Sequence, residues 1–260
     1  MNRFDLYELC VQNAPAMARF LEAAHRGSPC TLREDFSGGA ALCKAWVAPA
    51  SGADSEHRRA IAVDLDPEPL KRVAKHPGIT VRRADVRRAA DKADIIAALN
   101  FPLGYWHDRA SLVAYLKLTR ARLNRKGVFV ADLYGGSDAF RPLTMSRRFR
   151  GPKGERIKYT WEQEQADAIS GLVHNALHFE VSPPRGKPGR TRVLRRAFTY
   201  HWRLWSIPEF TDAALQAGFK HVEVYDQDAG ALDHTGRLHI RPAEAAELDD
   251  NYVVYVVARK

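Results

Sequence analysis

The residues best arranged to hold a small polar ligand lie in Leu32-Arg-Glu-Asp-Phe-Ser-Gly-Gly-Ala-Ala-Leu42 and at the end of Ile61-Ala-Val-Asp64. An apolar lead-in at Cys30 to Leu32 breaks into Glu34 and Asp35, then a Gly38-Gly39 step, then the helical-looking stretch Ala40 to Val47. In a doubly wound α/β sheet, glycine lets the first strand-to-helix turn approach a ligand closely. An acid closing the second strand accepts hydrogen bonds from ribose hydroxyls. The loop is not the phosphate-binding G-x-G-x-x-G, and Glu34 and Asp35 would repel a pyrophosphate. A cationic ligand suits them. Asp64 has a competing reading as a helix cap before Pro67, but Asp66 is better placed for that. Asp85, after the third apolar run, reads equally well as a ligand contact and as a partner of Arg82 or Arg87.

The elements that must position these groups alternate. Residues 1 to 26 read as two helical pieces broken near Asn13 and Pro15, with Met17, Phe20 and Leu21 on one face. Strands are expected at 30–34, 60–64, 79–82, 94–100 and 128–133. Helices are expected at 39–48, from Pro67 onward, and at 109–124, with a polar loop at 49–59. Five strands alternating with helices predict a parallel sheet covered on both faces. After Gly135-Gly136 the period changes to two over 156–165, 172–181 and 194–203, which predicts an antiparallel insertion of three strands. A helix over 208–217 and strands at 221–225 and 252–258 close the chain.

Composition bounds the rest. The 260 residues can bury one substantial core. Forty Lys and Arg against 31 Asp and Glu give a net charge of +9. Basic pairs recur at Arg58-Arg59, Arg82-Arg83, Arg87-Arg88, Arg147-Arg148 and Arg195-Arg196 without one long tract. The charge is therefore expected to be spread over the surface, with at most weak nucleic-acid binding. Cys10, Cys30 and Cys43 are odd in number and lack a C-x-x-C. Cys30 on the first strand and Cys43 in the following helix are expected to be buried thiols, with neither a disulfide framework nor a zinc site. His174 and His178 share a strand face but lie roughly 13 Å apart at strand rise, too far for one metal. No metal is expected. The amino terminus lacks the apolar core of a signal peptide, and no apolar run approaches membrane-spanning length. A cytoplasmic monomer or homodimer without membrane contact is expected.

The acidic residue, the glycine loop and the acid after strand two resemble motif I and its sequel in class I S-adenosylmethionine-dependent methyltransferases. On that pattern Glu34 takes the acidic position and Gly38 the middle glycine, while Phe36 and Ala40 replace the outer two glycines. The phrases Leu32-Arg-Glu-Asp-Phe-Ser-Gly38, Phe129-Val-Ala-Asp-Leu-Tyr-Gly-Gly136, Tyr159-Thr-Trp-Glu-Gln163 and Trp202-Arg-Leu-Trp-Ser-Ile-Pro-Glu209 resemble a bacterial, small-molecule-type group of that family with unassigned substrates. The resemblance covers roughly residues 30–135 and 205–260. It implies a seven-stranded Rossmann-like sheet whose last strand runs antiparallel, and S-adenosylmethionine as cofactor. It implies that Asp64 holds the ribose hydroxyls, that Leu65 lies against the adenine, and that Asp85 and Val86 meet its amino edge. Asn100 and Phe101 would flank the methionine portion, with Glu34 neutralising its ammonium.

Asn100-Phe101-Pro102-Leu103 matches the [DN]-P-P-[YF] motif of adenine and glutamine methylation at only two of four places. Tyr105, Trp106 and His107 follow at once and could supply an aromatic wall and a proton acceptor, or equally a core aromatic pair beside an exposed histidine. In the insertion, Ile157, Tyr159 and Trp161 share one strand face, as do Phe198, Tyr200 and Trp202. The expected organisation is an N-terminal helical segment at 1–26, a cofactor-binding domain at 27–150 and 204–260, and an antiparallel β lid at 151–203. Tyr105, Trp161 and Arg203 are expected to bind the acceptor. Tyr134, at the end of strand five, and His107 are the expected catalytic side chains, with Glu162 and His178 as other proton acceptors. The expected reaction is in-line methyl transfer to a small molecule, with an amine as nucleophile. An RNA or protein methyltransferase and a non-catalytic cofactor-binding module are the alternatives.

Overall fold

A computed structural model describes residues 1–48, 58–227, 230–234 and 236–260. The loop expected at 49–59 lies outside the described residues except for Arg58 and Arg59. Two helices, α1 (Arg3–Val11) and α2 (Ala14–His25), open the chain. Asn2 caps α1 through the Phe4 and Asp5 amides, and Asn13 caps α2 just before Pro15. The alternating part comprises β1 (Thr31–Asp35), α3 (Ala41–Val47), β2 (Arg59–Asp64), α4 (Pro67–Leu70), β3 (Ile79–Arg83), β4 (Ala93–Ala98), α5 (Arg109–Arg122) and β5 (Leu123–Gly136). Asp66 caps α4 by accepting from the Glu68 amide at 2.8 Å, the role its sequence position indicated.

Four further strands follow, β6 (Leu143–Arg150), β7 (Arg156–Asp167), β8 (Leu172–Ser182) and β9 (Arg192–Arg203), then α6 (Ile207–Gln216) and β10 (His221–Asp226). A two-residue pair, β11 (Ala231–Leu232) and β12 (Leu238–His239), precedes the last strand, β13 (Asn251–Arg259).

The main sheet has seven strands in the order β10-β13-β5-β4-β1-β2-β3. The five strands from β5 to β3 are mutually parallel, and β13 runs antiparallel between β10 and β5. Strand periodicity divides its residues between two cores. Ile96, Ala98, Phe129 and Ala131 pack with α5 and α6 on one face. Ile95, Ala97, Val128 and Val130 pack with α2 and α3 on the other. A central strand buried on both faces needs an unbroken apolar run, and β4 supplies one from Ile95 to Ala98 and β5 one from Val128 to Ala131. No described helix is long and apolar enough to cross a membrane.

The antiparallel sheet has four strands in the order β6-β7-β8-β9, one more than expected. Leu143 to Arg150 pairs with β7 along its whole length, but its polar and basic residues hide the period of two. The inward face of this sheet packs Ile157, Leu177 and Phe179 against Leu6 and Cys10 of α1. The charge is not spread as expected: residues 143–203 hold thirteen Lys and Arg against five Asp and Glu, a net +8 of the chain's +9. Cys30 is exposed, contrary to expectation, because it precedes β1, while Cys10 and Cys43 are buried.

Candidate functional site

The carboxyl edge of the parallel strands opens into a cavity of about 450 Å³, walled also by α1 and β9. The loop after β1 forms its floor. Phe36, Gly38 and Ala40 all take left-handed backbone, with φ of 59°, 51° and 54°. The turn that the resemblance assigns to three glycines is kept here with one. Each non-glycine residue in this region costs about 1–2 kcal/mol, so surrounding contacts must over-determine it. They do: the Ser37 amide donates to the Val63 carbonyl at 3.0 Å, and the Ala40 amide to the Ser37 carbonyl at 2.8 Å. The Phe36 ring stacks on Tyr105 at 5.9 Å and meets Trp106 and Tyr115 edge-on. At Gly38 a Cβ would meet nothing within 4 Å, so that position faces open space.

Asp64 ends β2 at the cavity wall. Its two oxygens accept from the Gly38 amide at 2.7 Å and the Asp66 amide at 2.8 Å. Burial raises its pKa, and those hydrogen bonds oppose the rise. Leu65, beside it, is 65% exposed. Asp85 and Val86 line the same wall after β3. Asp85 also pairs with Arg87, which lowers its pKa, whereas Arg82 pairs with Asp91 instead.

The turn after β4 is the second strained segment. Asn100 and Phe101 take φ of 69° and 65° in succession. Asp132 on β5 clamps them, one oxygen accepting from each amide at 2.7 Å. Burial pushes this carboxyl up to about 7. Asn100 reaches the cavity, while Phe101 turns away toward Tyr134, centroid to centroid 4.9 Å.

Glu34 does not reach the cavity. It is 4% exposed, accepts from the Cys43 amide at 3.1 Å in the first turn of α3, and is pushed up to about 7 by burial. Asp35 is equally internal, held by Arg33 at 2.7 Å and by the Tyr115 hydroxyl at 2.9 Å. The acid pair beside the glycines is therefore consumed by the β1–α3 junction.

Glu8 of α1 lies in the wall instead. One of its oxygens meets Lys44 at 3.2 Å; the other is buried, finds no hydrogen-bond partner among the described residues, and stands against Gly39, where a Cβ would not fit. Phe4, Tyr7 and Gln12 line the cavity from the same helix. None of these was expected there, although Phe4, Tyr7, Glu8 and Val11 recur at i, i+3, i+4 and i+7.

Opposite the floor stand Tyr105 and, from β9, Phe198, Tyr200 and Trp202. Tyr200 and Trp202 stack at 4.2 Å, and Tyr7 and Phe198 approach at 5.1 Å. The aromatic face was expected inward, but through Trp161. Trp161 packs edge-on behind Tyr134 at 6.0 Å, because β8 separates β7 from β9, the strand that borders the cavity.

Arg203 is not in the cavity either; it donates to the His107 carbonyl at 3.2 Å, pairs with Glu209 and covers the Trp205 ring at 4.0 Å. His107 is exposed, its Nε2 2.9 Å from the His201 carbonyl oxygen. The Tyr134 hydroxyl lies between Gln163 at 3.3 Å and Asn175 at 3.2 Å, and burial pushes it up to about 12. Neither expected catalytic side chain faces the cavity. Phe101, Tyr134 and Arg203 instead surround a small separate recess across Trp202.

No family sequence model and no curated protein sequence matches the chain. Solved structures do. An S-adenosylmethionine-dependent methyltransferase from Clostridium acetobutylicum superposes with a TM-score of 0.66 at 14% identity, over 98% of this chain and 96% of that one. An amino pentose methyltransferase from Micromonospora echinaspora, solved with S-adenosylmethionine bound, gives 0.64 at 15% identity over 95% and 90%. A sugar N-methyltransferase from a Streptoalloteichus species gives 0.65 at 16% identity over 99% and 93%. From β1 to β13, the chain has the fold of S-adenosylmethionine-dependent methyltransferases.

Proposed function

We propose that this chain is an S-adenosylmethionine-dependent methyltransferase acting on a small-molecule amine. The observation that carries the reading is the left-handed turn at Phe36, Gly38 and Ala40 facing Asp64 across a cavity walled by aromatic rings. These groups fit the cofactor. Asp64 keeps lone pairs for ribose hydroxyls, Asp85 and the Val86 amide offer an acceptor and a donor to the adenine edge, and Leu65 and Phe36 supply apolar surface. Glu8 takes the part expected of Glu34, since its carboxylate lies in the cavity wall, where an ammonium would find a charged acceptor.

The cofactor, when bound, supplies an electrophilic methyl group on a sulfonium. The chain's own work is to hold the acceptor in line and exclude water. Tyr105, Phe198, Tyr200 and Trp202 make the apolar, shaped half of the cavity in which an acceptor would sit. Among the described residues no histidine, lysine or cysteine lines the cavity. Of its carboxylates, this reading assigns Glu8, Asp64 and Asp85 to the cofactor, and Asp66 caps α4. Burial raises the pKa of Tyr7, Tyr105 and Tyr200. An alcohol or phenol would need a proton acceptor; a neutral amine attacks through its own lone pair and loses a proton afterwards. The amino pentose and sugar N-methyltransferases among the similar structures make an amino sugar the first acceptor to try. In this reading residues 1–26 and the antiparallel sheet act as two covers over the cofactor domain.

Calorimetry with S-adenosylmethionine and its demethylated product tests the proposal. Both are expected to bind, and Asp64→Ala is expected to raise both Kd values at least about tenfold, through loss of charged hydrogen bonds of about 1.5–3 kcal/mol each. No binding by the parent protein would end the reading.

A further inference from the structure

One end of the four-stranded sheet is built from two turns, Gly151-Pro-Lys-Gly-Glu155 between β6 and β7 and Pro183-Pro-Arg-Gly-Lys-Pro-Gly-Arg190 between β8 and β9. Antiparallel pairing brings them together: Arg156 stands opposite both Arg150 and Ser182, its guanidinium donates to the Pro183 carbonyl at 3.2 Å, and Gly154 faces Pro184. Six cations meet here, Arg150, Lys153 and Arg156 with Arg185, Lys187 and Arg190, and all six are exposed. The only acid in these turns is Glu155, whose carboxylate accepts from the Lys153 amide. Among the described residues, the ion pairs of the sheet's side chains, Lys158 with Glu180, His178 with Glu162, Arg196 with Glu164 and Arg203 with Glu209, involve none of the six. Six cations around a single carboxylate make a local excess of positive charge that water and salt screen only in part, and that an anionic partner would complement.

We propose that this tip docks the phosphate backbone of a nucleic acid, without reading its sequence. The chemistry of the tip chooses among polyanions. A membrane-docking tip would carry apolar anchors beside its charges, and a protein interface would carry an apolar centre. These turns contain neither an aromatic nor a large aliphatic residue, only Arg, Lys, Gly, Pro and Glu155. Arg and Lys, with the Ser182 and Thr191 hydroxyls paired at 2.9 Å beside them, are the groups that contact phosphates. The lack of an exposed ring removes base stacking, so affinity rests on counterion release and binding is weak at physiological salt. This inference is independent of what occupies the cavity.

The test is fluorescence anisotropy with a labelled 20-nucleotide RNA and a labelled 20-base-pair DNA duplex, titrated with the full chain from 50 to 200 mM salt. Binding is expected to both, falling linearly in log–log form with salt. The variant Arg185→Glu/Lys187→Glu/Arg190→Glu, whose changes lie in exposed loop positions, is expected to bind at least about tenfold more weakly and to lose about 2 from the slope on RNA and about 3 on duplex DNA. A matched control, Lys71→Glu/Lys75→Glu/Lys117→Glu on the seven-stranded part, is expected to stay within about twofold of the parent on the same scale. No binding at 50 mM salt, equal weakening in both variants, or binding to phosphatidylserine vesicles but not to nucleic acid would each overturn the proposal.

Discussion

Glu8 presses its unpartnered carboxylate oxygen against Gly39, and the pair joins the first helix to the loop after β1. A charge held this way, on a cavity wall with one oxygen engaged by Lys44, is poised for a cation. Glu8→Gln keeps the shape and removes the charge. It is expected to weaken S-adenosylmethionine binding about tenfold, the scale of one charged hydrogen bond. Calorimetry on the variant decides; an unchanged Kd would remove Glu8 from the site while leaving the Asp64 assignment intact.

Glu34 gives a pH prediction. Its folded pKa is about 7 against an ordinary 4.5, because burial disfavours the charge. The native state therefore keeps a proton that the unfolded chain has lost between those values. The stability this provides is complete below about 4.5 and lost as pH rises through about 7. Gln cannot titrate. In urea denaturation, the stability of Glu34→Gln relative to the parent is expected to improve steadily between pH 5 and 7.5. A difference that stays flat across that range would show that Glu34 is ionised throughout.

Ala40 gives a stability prediction from backbone alone. Its φ of 54° favours glycine by about 1–2 kcal/mol, while its buried methyl is worth about 0.8 kcal/mol. Ala40→Gly is expected to change the urea midpoint little or to raise it. Ala40→Val is expected to cost more than about 2 kcal/mol, since a β-branched residue resists this conformation. For comparison, Ala45→Gly inside α3 is expected to cost about 1 kcal/mol.

Trp202 gives a split between binding and turnover. It lines the acceptor half of the cavity, stacks on Tyr200, and packs so closely over Gly104 that no Cβ fits there. Trp202→Ala is expected to lower kcat/KM for the amine acceptor by at least about a hundredfold, with the Kd for S-adenosylmethionine within about threefold. The same measurement on Trp161→Ala is expected to show a smaller loss, because Trp161 packs against Tyr134 behind the cavity lining rather than in it. Equal losses in both variants would return the acceptor site to β7.

The parts of this molecule legible in the sequence are those set by local pattern. The glycine turn, Asp64 and the alternation of strands and helices follow from neighbours in the chain, whereas the seventh, antiparallel strand was legible only through the family resemblance. Parity along the inserted strands was legible too, since Tyr159, Trp161, Tyr200 and Trp202 do share a face. What parity cannot say is which strand borders the cavity; that depends on the order β6-β7-β8-β9 and on Gly104 admitting Trp202. Glu34 was misjudged for a related reason. Its place before the glycines fits a ligand, but Arg33, Glu34 and Asp35 are all buried at the end of β1, where α3, Tyr115 and the Val86–Asp91 turn claim them. Glu8 was out of reach because it meets Gly39 thirty-one positions later in the chain, through packing.

The first helix is fastened in two unlike ways. Toward the seven-stranded sheet its ties are ion pairs, Arg3 with Glu68, Asp5 with Arg72 and Glu8 with Lys44. Toward the four-stranded sheet they are greasy, with Leu6 and Cys10 in one core with Phe179, and Phe4 and Tyr7 on Phe198. Added salt loosens the first kind and tightens the second. The seam between α1 and the floor is thus the charged one, and the seam between α1 and β9 the apolar one. Ionic strength then becomes a throttle on traffic: ligand exchange is expected to quicken as sodium chloride is raised, which stopped-flow release of the demethylated cofactor product measures.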